Sequence, residues 1–241
     1  MAKCPFATWQ LISGPVGPFV SGPFKIVHHT TEGSSAAGAF SAFQANKSDP
    51  HFTVDSNKIY QHIDTALAAR SLRNASGGVQ TNKDSAIQIE VVGFAAHAKN
   101  PNTLLNIARL CRWIEHTHGV VKKWPNGIPK TATSAGHDPG GHNRNASNWD
   151  SISGHYGHCH VPENTHWDPG YRISEVNVIM ESEFNSAGQL LFMNEMQTSH
   201  PAIFGHPEMN MMAFSSAKSS NDGADDIKKL SDSAELEFEL Y

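Results

Sequence analysis

The sequence predicts an α/β fold, in which strands form a β-sheet that is flanked by helices. A run rich in β-branched residues at 25–30 and an apolar run at 85–93 have the length and composition of strands. Between residues 104 and 114, apolar side chains recur at the spacing of one helix face. In a chain of 241 residues with 39% hydrophobic residues, these elements can enclose a sizeable core.

The first half of the chain is predicted to contain a strand, a helix and a hairpin. Residues 1–24 are punctuated by Pro and Gly, which indicate turns, and residues 25–30 then form the first strand. The serine pair at 34–35 can cap a short helix, because apolar residues follow at helical spacing. Residues 51–55 and 58–62 alternate around Ser56-Asn57 and therefore predict a β-hairpin.

The second half is predicted to add a strand and two helices. The strand at 85–93 carries Glu90 among apolar residues, and a buried carboxylate there needs a partner. Asn102 or Thr103 can cap the next helix. Its apolar stripe is formed by Leu104, Ile107, Ala108, Cys111 and Ile114. A loop is predicted over residues 122–149, followed by a closing helix over residues 171–180 that begins at Asp168-Pro169.

We divide the chain into a domain at residues 1–180, which includes the Pro/Gly-rich N-terminal segment, and an extension at residues 181–241. The composition of the extension is different, with a Met-rich stretch, the low-complexity run SSAKSSNDGADD and an acidic end. We expect this extension to be a C-terminal appendage that is mobile or binds a partner.

Composition limits the possible partners. The net charge of -5 provides no electrostatic reason to expect binding to nucleic acid or to an anionic membrane. Three cysteines without a CxxC motif argue against a disulfide framework and against a cysteine zinc finger. The first residues contain neither the apolar core of a signal peptide nor a membrane span. We therefore expect synthesis in the cytoplasm without a signal peptide.

A metal-site signature lies in residues 157–170, which read GHCHVPENTHWDPG. Prolines and a Pro-Gly pair indicate an ordered loop in which imidazoles and a carboxylate can converge on one cation. The candidate ligands are His158, His160, His166 and Asp168. Zinc suits these groups, and a catalytic zinc site uses three protein ligands. A further ligand can come from His28 or His29, of which only one faces the site because strand side chains alternate.

Three segments resemble the zinc-dependent N-acetylmuramoyl-L-alanine amidase family, which includes phage lysozyme-type amidases, a muropeptide-recycling amidase and the peptidoglycan recognition proteins. The segments are KIVHH at 25–29, AIQIEVVG at 86–93 and GHCHVPENTHWDPG at 157–170, and they follow the order of the family. The resemblance implies a central mixed β-sheet flanked by helices and a zinc ion bound by His28, His158 and Asp168.

The resemblance also implies two catalytic residues. Glu90 is similar to the family's glutamate that orients or deprotonates the attacking water. His166 stands two residues before the last ligand, where several relatives have lysine. A cationic His166 can hydrogen-bond the developing alkoxide, but an imidazole titrates near neutral pH whereas lysine stays charged.

The implied reaction is hydrolysis of the amide bond between N-acetylmuramic acid and L-alanine in bacterial peptidoglycan. A lytic enzyme, either a phage endolysin or a secreted antibacterial effector, is expected to act in the periplasm or cell wall after lysis-linked release or non-Sec secretion. Such an enzyme implies a possible immunity protein or delivery-apparatus partner. The alternatives are a cytoplasmic amidase that recycles muropeptides and a protein that binds peptidoglycan without cleaving it.

Two further interpretations compete with this site. The HNRN segment at 142–145, near His137, superficially resembles His/Asn metal sites of nucleases, although the acidic balance disfavours a phosphate-rich partner. In addition, strand alternation alone allows Glu90 to lie on an exposed face together with Gln88.

Overall fold

A computed structural model describes residues 2–12, 14, 17–185 and 189–191 and shows a mixed α/β fold. Its six-stranded sheet has the order β1-β4-β3-β5-β2-β6. The strands are β1 Thr8–Trp9, β2 Lys25–Thr30, β3 Phe52–Val54, β4 Ile59–Gln61, β5 Ala86–Val91 and β6 Gly154–Gly157. The helices are α1 Ala36–Asn46, α2 Pro101–His118, α3 Ala146–Ser151 and α4 Ile173–Glu181. The predicted class and its central mixed sheet are confirmed.

Strand β2 lies between β5 and β6 and is parallel to both. Strand β5 is also parallel to β3, whereas β3 and β4 form the predicted antiparallel hairpin. Every residue of β2 and β5 is buried. This two-sided burial fits the β-branched residues of both strands, although buried polar side chains such as His28, His29 and Glu90 interrupt the apolar runs.

The two faces of the sheet have different coverings. On one face, Ile87 and Ile89 pack in a core with the apolar stripe of α2 and with Val176 of α4. The opposite face carries a second cluster, in which Val27 packs with Trp149 and Tyr156. We call these the helix face and the site face. None of the helices in the described residues is long and apolar enough to cross a membrane.

Several boundaries differ from the sequence predictions. Helix α2 begins at Pro101, because proline is favoured at the first helical position. Asn100 therefore caps the helix, and its side chain accepts from the backbone N–H of Asn102. Helix α4 starts at Ile173, later than predicted. The predicted loop at 122–149 runs into the short helix α3, and β6 was not predicted. The Met-rich and acidic stretches of the extension, at residues 192–241, lie outside the described residues.

Candidate metal centre

Three buried side chains converge at one end of β2 on the site face. His29 comes from β2, His158 follows β6 directly, and Asp168 lies in the loop that precedes α4. His29 Nδ1 is 3.1 Å from His158 Nδ1, and His158 Nδ1 is 3.2 Å from Asp168 Oδ1. His29 Nδ1 and Asp168 Oδ2 are 3.9 Å apart. These atoms are close enough to share one metal ion.

The structure corrects the sequence-based choice of His28. His28 points to the helix face, where its ring lies 3.2 Å from the Tyr171 hydroxyl and 3.1 Å from His155. Because successive side chains of a strand point to opposite faces, His29 is the residue that meets His158 and Asp168. The predicted trio is therefore not brought together, whereas its two later members lie side by side.

The contact of His158 with Asn164 determines which ring nitrogen of His158 carries a hydrogen. Asn164 Oδ1 accepts from the backbone N–H of Arg73, and its amide group donates to the carbonyls of Arg73 and Pro162. This network assigns the amide orientation, so Oδ1 must also be the acceptor in its 3.0 Å contact with His158 Nε2. The His158 ring consequently carries a hydrogen on Nε2, and in its neutral form it presents a lone pair on Nδ1.

Asp168 faces this lone pair with a charged carboxylate. Burial alone would raise the pKa of Asp168, but His158, His29 and His166 hold it well below its usual range. The backbone N–H of Thr30 donates to Asp168 Oδ2 over 3.0 Å and orients the group. Burial and the neighbouring His158 lower the pKa of His29, so its ring is neutral at neutral pH.

The donor set fits a divalent cation. In their neutral forms His29 and His158 can each offer a lone pair on Nδ1, and the Asp168 carboxylate lies within reach of both nitrogens. A cation between Nδ1 of His29, Nδ1 of His158 and Asp168 would satisfy all three, and two histidines with one carboxylate form a known zinc ligand set.

Glu90 lies beside this group rather than on an exposed face. Its Oε1 is 4.0 Å from His29 Nδ1, and only 6% of the residue is exposed. Burial raises the pKa of Glu90 well above its usual value, and the negative charges of Asp168 and Glu32 raise it further. Glu90 Oε2 has no partner within the described parts of the chain. A buried carboxylate of this kind is suited to accept and return a proton.

His166 forms the exposed rim of the site. Its ring stacks on that of His158 with the centroids 4.6 Å apart, and its Nδ1 is 3.8 Å from Asp168 Oδ1. Burial and the nearby His158 lower the pKa of His166. The expected cationic form is therefore disfavoured at neutral pH, and a neutral ring can still donate one N–H bond.

The other histidines of the late segment have different surroundings. His160 Nδ1 accepts from the backbone N–H of Gly157 and does not join the metal-type group. In the 142–145 segment, His142 bonds Asp138 over 2.6 Å. Within the residues that the structure describes, neither His137 nor His142 belongs to a group of three candidate ligands, which disfavours the nuclease interpretation.

This fold and this site define an α/β protein with a candidate metal centre and an adjacent buried carboxylate. The chain belongs to the N-acetylmuramoyl-L-alanine amidase family, whose profile matches residues 22–171. Membership assigns the chain to the hydrolases that cleave amide bonds of peptidoglycan. The matched range contains every residue of the candidate metal centre and Glu90.

The chain also shows limited similarity to several solved structures. A hydrolase AmiA from Staphylococcus aureus, solved in complex with its ligand, is 16% identical, with a TM-score of 0.48 over 74% of this chain and 82% of that chain. The amidase LysC from Clostridium intestinale is 12% identical, with a TM-score of 0.46 over 75% and 100% of the two chains. A mutant endolysin from Bacillus subtilis is 22% identical, with a TM-score of 0.37 over 51% and 80%. A search of curated proteins found no match.

Proposed function

We propose that this protein is a zinc-dependent enzyme that hydrolyses the amide bond between N-acetylmuramic acid and L-alanine. The observation that carries the proposal is the convergence of possible ligand atoms of His29, His158 and Asp168 beside the buried Glu90. The sequence match to the amidase family supports the choice of the bond that is cleaved, and the donor set supports the binding of zinc. These three residues would hold the zinc.

The residues around the metal divide the work of hydrolysis. When bound, zinc would polarise the amide carbonyl and make an attacking water more acidic. Glu90 would take the proton of this water and return it to the leaving nitrogen, since it is a buried carboxyl group beside the metal-type ligands. His166, at the exposed rim, would donate its N–H to the oxyanion. Asn164 would hold His158 with the correct nitrogen toward the metal.

The proposal is tested on purified sacculi. The protein is stripped of metal with a chelator and then supplied with zinc, and the release of stem peptides with a free L-alanine amino group is measured. We expect no release without metal and full release with one equivalent of zinc. Binding to sacculi without any release in zinc would instead indicate a peptidoglycan-binding protein, and release in the presence of chelator would contradict the metal dependence.

We further propose a lytic role on intact cell wall, as an endolysin or antibacterial effector, rather than the recycling of fragments. The comparison of intact sacculi with soluble muropeptides separates these roles, since a recycling enzyme prefers the fragments.

The site of action is then the periplasm or cell wall, reached by lysis-linked release or non-Sec secretion, and an immunity protein or delivery apparatus would be a partner. Expression with an added export signal should lyse cells, whereas cytoplasmic expression should not. Survival of the exporting cells would contradict the lytic role.

A further inference from the structure

A second group of histidines lies on the helix face, directly behind the candidate metal centre. The Tyr171 hydroxyl is 3.2 Å from His28 Nδ1, His28 Nε2 is 3.1 Å from His155 Nδ1, and His155 Nε2 is 2.9 Å from Glu115 Oε1. Tyr171, His28 and His155 are completely buried. We call the four residues Tyr171, His28, His155 and Glu115 the back-face relay.

The charge at one end of the back-face relay sets the direction of every hydrogen bond. Arg112 forms an ion pair with Glu115, which keeps this carboxylate an acceptor. His155 must therefore donate from Nε2, which leaves its Nδ1 as a lone pair. His28 then donates from Nε2 to His155, and the Tyr171 hydroxyl donates to His28 Nδ1. One arrangement of protons thus satisfies every ring nitrogen of the relay.

The same histidines, together with Cys111, are also close enough to hold a metal ion. Two features favour hydrogen bonding instead. A structural zinc site is normally closed by four protein ligands, and here the described residues offer three. Moreover, the hydrogen-bond directions that start from Glu115 give the facing nitrogens of His28 and His155 one shared hydrogen, so this contact needs no cation.

The back-face relay joins the two segments that carry the metal-type ligands. His28 precedes His29 on β2, and Tyr171 ends the Asp168-Pro169-Gly170 turn. On the site face, the same segments touch again where the Thr30 N–H donates to Asp168. The β2 strand and the ligand loop are therefore held together from both faces of the sheet.

We propose that Tyr171, His28 and His155 are positioning residues, which hold His29 and Asp168 at the separation that metal binding requires. This inference rests on the proposed zinc site. Loss of the relay should let the ligand loop shift relative to β2 and so weaken metal binding. The relay touches neither the metal-type group nor the reacting atoms, so its effect is on the placement of the ligands.

The test uses the full chain and compares Tyr171→Phe and His155→Phe with a matched control, His62→Phe. His62 is also completely buried, and both of its ring nitrogens are bonded, to Thr53 and to the carbonyl of Gln10, on another part of the sheet. Zinc affinity is measured by competition with a chromophoric chelator, and stability by urea unfolding. We expect roughly tenfold weaker zinc binding in the relay variants and unchanged affinity in the control.

Nitrogen NMR of the histidine rings in the metal-free protein provides a readout that needs no zinc. His28 and His155 should both carry their hydrogen on Nε2, and Tyr171→Phe should change the signal of His28 Nδ1. The opposite tautomer at either ring would overturn the relay.

The remaining outcomes distinguish the two proposals. Zinc affinity that falls equally in relay and control variants would overturn the positioning role alone. If the wild-type chain binds two zinc ions and His155→Phe loses one of them, these residues form a second metal site and the relay is refuted. A wild-type protein that binds no zinc would refute the proposed function and the positioning role together.

Discussion

His29 and Glu90 are register partners on the parallel strands β2 and β5. Paired residues of neighbouring strands point to the same face of a sheet, so this pairing places the imidazole and the carboxylate in one site. His28 is paired with Ile89 instead, and both belong to the helix face. The choice between two adjacent histidines is thus decided by the register of β2 against β5.

Replacement of His29 and replacement of His28 should have unequal effects on metal binding. His29→Phe keeps the ring volume but removes a proposed ligand, and we expect the purified protein to lose stoichiometric zinc. His28→Phe should still bind one ion, with only the weaker affinity expected from loss of the relay. Metal content after dialysis, measured by mass spectrometry, checks this. Loss of zinc in His28→Phe alone would restore the choice based on the sequence.

Asn164 should contribute to zinc affinity without touching the metal. Asn164→Leu removes the acceptor that holds His158 Nε2, so His158 can rotate or change tautomer, and we expect affinity to fall by about 10- to 100-fold. Asn106→Leu is the control, because Asn106 is equally buried and donates to the carbonyl of Asp55 instead. Chelator competition measures both variants. Equal affinities would show that the His158 ring needs no such partner.

Replacement of Glu90 by glutamine should separate catalysis from metal binding. Glu90→Gln keeps the shape of the side chain but cannot accept the proton of water, so turnover should fall by about 100-fold or more. Zinc content should remain at the wild-type level. The surface variant Glu183→Gln, which alters an exposed ion pair with Lys122, is the control for loss of a carboxylate. Wild-type turnover in Glu90→Gln would remove the assignment of Glu90 as the proton acceptor.

His166→Ala should lose turnover while it retains metal. The ring lies at the rim and is not a member of the converging trio, although it stacks on His158. We expect the rate of stem-peptide release to fall, with zinc content unchanged. His166→Lys, which places the cation used by several relatives, should recover part of the rate and extend activity to higher pH. Full activity of His166→Ala would exclude a catalytic role.

Buried neutral histidines should make the metal-free protein sensitive to acid. Burial lowers the pKa of His51 and His62 from 6.5 to about 4 in the folded state. Between these values the unfolded chain binds protons that the folded chain does not, so stability is lost as the pH falls from 6.5 to 4. For each histidine, the free energy of unfolding should fall by about 1.4 kcal/mol per pH unit of acidification within this window.

Urea unfolding at a series of pH values in the presence of chelator measures this dependence. The variant His62→Phe removes one titrating group, so its free energy of unfolding should fall less steeply with acidification than that of the wild type. The two proteins are compared by their slopes rather than by their absolute stabilities, which the substitution also changes. Parallel slopes would show that His62 is not held neutral in the folded protein.

The sequence was most informative where the signal is local. The strands β2 and β5 are buried on both faces and are rich in β-branched residues, and the helix α2, which packs on the sheet, shows a periodic apolar stripe. In contrast, β6 has the sequence GHYG, which contains two glycines and has little intrinsic strand preference. It is a strand because it pairs with β2, a long-range contact that no local pattern reveals.

By itself, the sequence determined the α/β class, the resemblance to the amidase family and the late segment that holds His158 and Asp168, since these depend on residues close together in the chain. Only the tertiary structure decided that His29 rather than His28 joins them, and that Asn164 orients His158. The physical reason is that a shift of one residue moves a strand side chain to the other face, and the face is set by pairing with a distant strand.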